Sequence, residues 1–201
     1  MTAQSSYEVD KGPALIVAPS SLLYQWQDEL LTHYNKQSNV VTSKVKSGQR
    51  LQAMKDAIDE TGIIITNYEF LKTFKNEIQF EFLVLDECQR VKNWNTQTAK
   101  TMSQIPARRV IGLSGTPVEN HLGELYNITD QIQPAFFGTM RQFNKDFIYK
   151  KQNNKYVYKN LEQVYQRLTD LMFRKNKEDA MIDLPKLTQQ MRVIQLTDHE
   201  L

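Results

Sequence analysis

Short apolar runs alternate along this chain with longer stretches whose apolar residues recur at helical spacing. The runs fall at residues 14–18, 40–45, 63–66, 82–86 and 110–113. Each has strand length and lacks the strict alternation of a half-exposed strand, so they read as strands buried on both faces. Leu22, Leu23, Trp26, Leu30 and Leu31 predict a helix over residues 20–34, with Trp26 on its packing face. Ser47 is a candidate cap for a second helix that carries Leu51, Met54 and Ile58 on one face and ends at Gly62. Residues 96–105 are long enough for a short crossover helix, and residues 119–131 predict another that stops before Pro134. Strand and helix in alternation predict an α/β fold, a parallel sheet with helices on both faces.

The chemistry gathers where two of these runs stop. Residues 82–86 end in Asp86 and Glu87, a carboxylate pair at the carboxyl end of a buried strand. Open α/β sheets bind ligands at that edge. Nucleotide-hydrolysing folds use such a pair to put one carboxylate on Mg²⁺ and another on the attacking water. Taken alone, the pair reads equally well as an acidic surface turn. The next run, Arg109 to Leu113, ends in Ser114-Gly115-Thr116-Pro117. Gly115 permits a tight backbone, and Pro117 can open the following helix. Strand, acidic pair, helix, strand and Ser-x-Thr make a βαβ unit with both functional ends on one sheet edge.

At these residues the chain resembles a family. Asp86-Glu87-Cys88-Gln89 with Arg90-Val91-Lys92-Asn93, then Leu113-Ser114-Gly115-Thr116-Pro117 with Asn120, is similar to motifs II and III of superfamily-two helicase-like ATPases. The Lys92-Asn93 context and the tail Pro117 to Leu125 resemble the Swi/Snf branch, the double-stranded DNA translocases. Ala14 to Leu23 with Trp26 resembles that branch's motif Ia, and Ile63 to Glu69 its motif Ib. Met172 to Asp179, then Leu184-Pro185-Lys186, resembles the segment that leaves the first RecA-like lobe.

The resemblance implies a partial RecA-like lobe over residues 13–135, after a tail at 1–12. A helical, basic and aromatic protrusion would follow at 136–183, and a linker into a second lobe at 184–201. In the family a phosphate loop precedes motif Ia. Here no Gly is followed by Lys, so no G-x-x-x-x-G-K-[ST] sequence exists. The chain therefore reads as a piece of a larger protein, inactive alone.

Roles carry over by resemblance. Asp86 would hold Mg²⁺ through water, and Glu87 would polarise the water that attacks ATP. Gln89 stands where a His is more common; its amide both donates and accepts, so it can still link the γ-phosphate region to Ser114 and Thr116. Those two hydroxyls read otherwise as cap or turn residues. Ser20, Thr66 and Tyr68 match positions near the DNA backbone. Lys92 and Asn93 either position the tracking strand or simply end the box as exposed residues.

Composition narrows the classes. The 201 residues are 40% hydrophobic and 24% charged, ordinary for a globular domain with one sizeable core. No apolar run approaches the roughly 20 residues of a membrane span, and residues 1–12 lack the pattern of a signal peptide. Cys88 is the single cysteine, so no internal disulfide forms and an intracellular setting is expected. His33, His121 and His199 are far apart and join no cysteine cluster, which argues against a histidine metal site.

Charge is uneven. Residues 141–177 hold ten Lys or Arg against three Asp or Glu, a net of +7 in a chain of +2. Interleaved Phe143, Phe147, Tyr149, Tyr156, Tyr158, Tyr165 and Phe173 suggest a nucleic-acid surface. The helical spacing of Phe143 with Phe147, and of Leu161, Tyr165, Leu168 and Met172, suggests core faces of two helices instead.

Three functions compete. One is a lobe of an ATP-driven double-stranded DNA translocase. Another is a different superfamily-two helicase or restriction translocase, although no strand-separating element shows in the sequence. The third is a non-catalytic nucleic-acid-binding module, against which the intact Asp86-Glu87 pair argues. The Asn- and Gln-rich wording suggests a bacterial cytoplasmic, nucleoid-associated protein rather than a nuclear one.

Overall fold

The computed structural model describes residues 12–71, 77–116, 121–152 and 155–174. Five parallel strands form its main sheet: β1 (Ala14–Ala18), β2 (Asn39–Val40), β3 (Ile63–Asn67), β4 (Phe80–Asp86) and β5 (Ala107–Leu113), in the order β2-β3-β1-β4-β5. Helices α1 (Leu23–Tyr34), α2 (Arg50–Thr61), α3 (Tyr68–Leu71) and α4 (Gln97–Met102) connect them. Helix α5 (Leu122–Ile132) follows β5. This is the expected α/β architecture.

Strand alternation sends side chains to two cores. Leu15, Val17, Ile64, Leu83 and Leu85 meet Met54, Phe70, Met102 and Ile128 on one face. On the other face Ile16, Ala18 and Ile65 meet Leu23, with Trp26, Leu30 and Val84 partly buried beside them. Leu31 falls off the α1 packing stripe and is 50% exposed.

Several element bounds differ from the sequence reading. The expected strand at 40–45 shrinks to β2, which starts one residue earlier at Asn39; after Val41, whose N–H donates to Ile65 O of β3, the chain turns. Ser47 opens a 3-10 turn without a side-chain cap bond, and α2 starts at Arg50. The segment 136–183 is not wholly helical. After α6 (Met140–Phe147) the chain forms an antiparallel hairpin, β6 (Ile148–Gln152) with β7 (Lys155–Tyr158). The alternating Lys and Tyr of that stretch suit a two-residue period better than a helical one.

Phe143 and Phe147 are buried in a ring cluster with Phe137 and Tyr126, so these aromatics are core. The described residues 160–174 belong to a separate compact unit. Its helix α7 (Leu161–Leu168) buries Val164 and Leu168, whereas Tyr165 is 70% exposed, so the apolar face differs from the expected one. The tail at 1–11, Pro117 to Asn120 and residues 175–201 lie outside the described residues.

Candidate nucleotide and nucleic-acid site at the carboxyl edge of the sheet

β1 sits at the switch point of the sheet. The chain moves from β1 to β2 and β3 on one side, and later to β4 and β5 on the other. Register brings the strand ends level: Ala18 lies beside Asn67, Val17 beside Leu85, and Asp86 beside Leu113. Ser20, Asn67, Asp86, Glu87 and Ser114 thus share one edge, the place where such sheets bind ligands.

Glu87 leaves the strand in the left-handed region, φ 54° and ψ 53°. A residue with a Cβ pays about 1 kcal/mol or more for that conformation. The turn it makes starts a 3-10 segment, Cys88–Val91, which aims Gln89 back at the carboxylate. The Gln89 Nε2 donates to Glu87 Oε2 at 2.6 Å. Its Oε1 accepts from Ser114 Oγ at 2.8 Å, and Ser114 Oγ accepts from Thr116 N–H at 3.1 Å. One amide therefore spans β4 and β5 using both of its functions. Thr116 enters through its main chain, not its hydroxyl.

Asp86 is held differently. The indole Nε1–H of Trp26 donates to Asp86 Oδ2 at 2.9 Å, and the Tyr68 hydroxyl donates to the Asp86 carbonyl at 2.7 Å. Tyr68 is 4% exposed, with the Arg90 guanidinium 5.9 Å from its ring centroid. Burial raises the Tyr68 phenol far above its ordinary range, and the nearby Cys88, Asp86 and Glu87 push the same way. Cys88 is buried, and that burial pushes its thiol up to about 11, which makes it a packing residue rather than a nucleophile. It packs where Gly112 leaves room: a Cβ at Gly112 would stand 2.6 Å from Ile132 Cδ1 and 3.1 Å from Cys88 Sγ.

Some expected site residues turn inward. Thr66 is fully buried and donates its hydroxyl to Val41 O at 2.6 Å, because β3 is an interior strand. Tyr68 spends its hydroxyl on Asp86. Both hydroxyls are thus engaged inside the protein, where they brace the loops at the sheet edge. Lys92 pairs with Glu124 of α5 at 3.2 Å, Glu124 being almost fully buried, and Asn127 Nδ2 donates to the Lys92 carbonyl at 2.7 Å. Lys92 thus anchors the box to α5 and is not a free surface cation. Ser20 and Asn93 are exposed. Asn67 Nδ2 donates to Ser20 Oγ at 3.0 Å, which ties the two loops together. Asn93 Oδ1 accepts from Asn95 N–H, an Asx turn.

The sequence reading missed Asn67, Glu124, Asn127 and the Trp26 bond. An indole N–H must find a partner when buried, and that was the available signal for Trp26.

The donor set suits Mg²⁺. Among the described residues no group of three or more His, Cys, Asp or Glu could cage a metal. Mg²⁺ takes few protein ligands, keeps waters and binds substrate phosphates. Asp86, whose Oδ2 accepts from Trp26, is a carboxylate of the kind that can hold such an ion directly or through one of its waters.

Fold and edge together define a RecA-like, helicase-type lobe. The model of the SNF2-related domain matches residues 1–201, and the chain belongs to that family of helicase-like ATPases. It is similar to the TATA-binding protein-associated factor BTAF1 of Arabidopsis thaliana, 26% identical over 210 residues, covering 98% of this chain and 10% of that protein. It is also similar to the TATA-binding protein-associated factor MOT1 of Saccharomyces cerevisiae, 30% identical over 186 residues, covering 86% and 10%. The Sulfolobus solfataricus SWI2/SNF2 ATPase core in complex with dsDNA shares the fold, with TM-score 0.70 and 24% identity over 90% of this chain and 37% of that one.

The chain spans about a tenth of the length of these curated relatives. They also correct the expected setting. These relatives are eukaryotic TATA-binding protein-associated factors and give no support to a bacterial cytoplasm; Asn and Gln content encodes no compartment. No described helix is long and apolar enough to cross a membrane.

Proposed function

We propose that this chain supplies the hydrolysis box and part of the nucleic-acid groove of an ATP-dependent double-stranded DNA translocase. The bond series Glu87–Gln89–Ser114–Thr116 carries this reading, because a decorative acidic turn has no need of a polar bridge to the next strand. Asp86 would hold Mg²⁺ through a bound water, with ATP phosphates completing the shell. That ion would neutralise charge developing on the phosphates. Glu87 orients and polarises the attacking water. Gln89 senses the occupancy of Glu87 and passes it to Ser114 and the Thr116 main chain, which face the crevice that a second RecA-like lobe would close.

On the nucleic-acid side, Ser20 and Asn93 offer a hydroxyl and an amide to backbone phosphates. Main-chain N–H groups of the loops after β1 and β3 add to them. Thr66, Tyr68 and Lys92 support these loops from inside. The test is the cofactor preference of ATP turnover by the intact parent protein. Stimulation by double-stranded DNA above single-stranded DNA and RNA is expected. Equal or greater stimulation by RNA would favour another superfamily-two activity.

A further inference from the structure

Asp86 and Trp26 come from different motifs, 60 positions apart, yet they share a 2.9 Å bond at the edge of the sheet. Two independent features make that bond more than packing. The first is geometric. Trp26 Nε1 takes Asp86 Oδ2, and Tyr68 Oη takes the Asp86 main-chain carbonyl, so side chain and backbone of one residue are fixed from two elements. The second is connectivity. Trp26 belongs to the first turn of α1, with its N–H on Leu22 O, and Leu22 N–H bonds Pro19 O directly before Ser20. Tyr68 directly follows Asn67, and Asn67 Nδ2 bonds Ser20 Oγ. Both donors on Asp86 thus grow out of the same pair of cross-linked loops.

We propose that Trp26 is a positioning residue: its indole N–H decides which Asp86 oxygen faces the metal-bound water, and it ties that choice to the Ser20–Asn67 loops. The proposal rests on the hydrolysis-box reading and adds its link to the nucleic-acid side. Without the N–H, the carboxylate rotates about χ2, and its two oxygens become equivalent. An outer-shell donor of this sort typically governs about ten- to hundredfold in metal affinity.

The test uses Mn²⁺ in place of Mg²⁺ on the 201-residue chain, followed by the indole and backbone N–H resonances. In the wild type the Trp26 Nε1–H signal should broaden at Mn²⁺ levels that leave Trp94 sharp. Trp26→Phe should weaken Mn²⁺ binding about tenfold, read from broadening at Asp86 and Glu87. An isosteric benzothienylalanine at position 26 keeps the ring volume and lacks the N–H, so it should match Phe if the bond matters. Unchanged Mn²⁺ affinity in the benzothienyl protein overturns the proposal. Unchanged affinity in Asp86→Asn instead overturns the reading of the box itself. In the intact parent, the benzothienyl substitution should raise the Mg²⁺ needed for half-maximal ATP turnover and lower the stimulation by DNA. A fall in kcat with Mg²⁺ dependence and DNA stimulation intact would reduce Trp26 to a packing residue.

Discussion

At the residue scale the box depends on side chains that use every polar function they have. Gln89→Ala removes the only described bridge between Glu87 and Ser114. The parent should lose DNA stimulation of ATP turnover by about tenfold or more while nucleotide binding changes little. Equal loss of binding would mean that Gln89 holds the nucleotide directly.

Lys92 permits a test of the inward reading. Lys92→Ala removes the 3.2 Å ion pair to the buried Glu124 carboxylate and should lower stability in urea denaturation. A variant of full stability with weakened DNA binding would return Lys92 to the surface role.

Cys88 sets a pH dependence. Its thiol titrates near 9 ordinarily and at about 11 in the fold, because burial disfavours the thiolate. The unfolded chain therefore releases this proton first as pH rises. The stabilisation is complete below about 9 and is lost progressively up to about 11, and Tyr68 shifts in the same direction. Cys88→Ala should flatten stability measured across that window.

At the element scale β5 stands out. Among the described residues it pairs only with β4, and Ile111 and Leu113 are 43% and 40% exposed. An open parallel edge with apolar side chains is a template for intermolecular pairing. The 201-residue chain should either self-associate through this edge or cover it with its own N-terminal residues. Light scattering and amide exchange check this. A clean monomer whose residues 110–113 exchange freely contradicts both branches, and Ile111→Lys with Leu113→Lys should suppress any association.

Strands β1, β3 and β4 were legible in the sequence because parallel strands buried on both faces are plain apolar runs, whereas the run at 40–45 gives only the short β2 and β5 leaves Ile111 and Leu113 exposed at an open edge. The link from Gln89 to Ser114 was suggested by the resemblance of the two motifs to a family, and an amide with both functions suits it. Thr66 and Trp26 were not legible. Their roles depend on strand order: β3 lies between β2 and β1, and β1 lies against β4. No local pattern states such an order. The hairpin β6–β7 was hidden by composition, which drew attention to its charge instead of its period of two.

At the scale of the whole molecule the proposed ATPase half-site and nucleic-acid face share one sheet edge. The 201-residue chain carries no G-x-x-x-x-G-K sequence to cradle phosphates, so alone it should hydrolyse no ATP above background. It should bind duplex DNA weakly, without sequence preference, and lose that binding steeply with added salt. Lys150→Glu should weaken the binding if the basic hairpin touches phosphate. An unchanged low-salt affinity would leave contact to the Ser20 and Asn67 loops.

The most direct test of the central claim is phosphate release by the intact parent with duplex DNA present, compared between wild type and Glu87→Gln. That substitution keeps size and hydrogen bonding and removes the charge that polarises water. Turnover should fall by about a hundredfold or more while ATP binding persists. Full turnover in Glu87→Gln would contradict the account, because the carboxyl edge of this sheet would then not be where hydrolysis occurs.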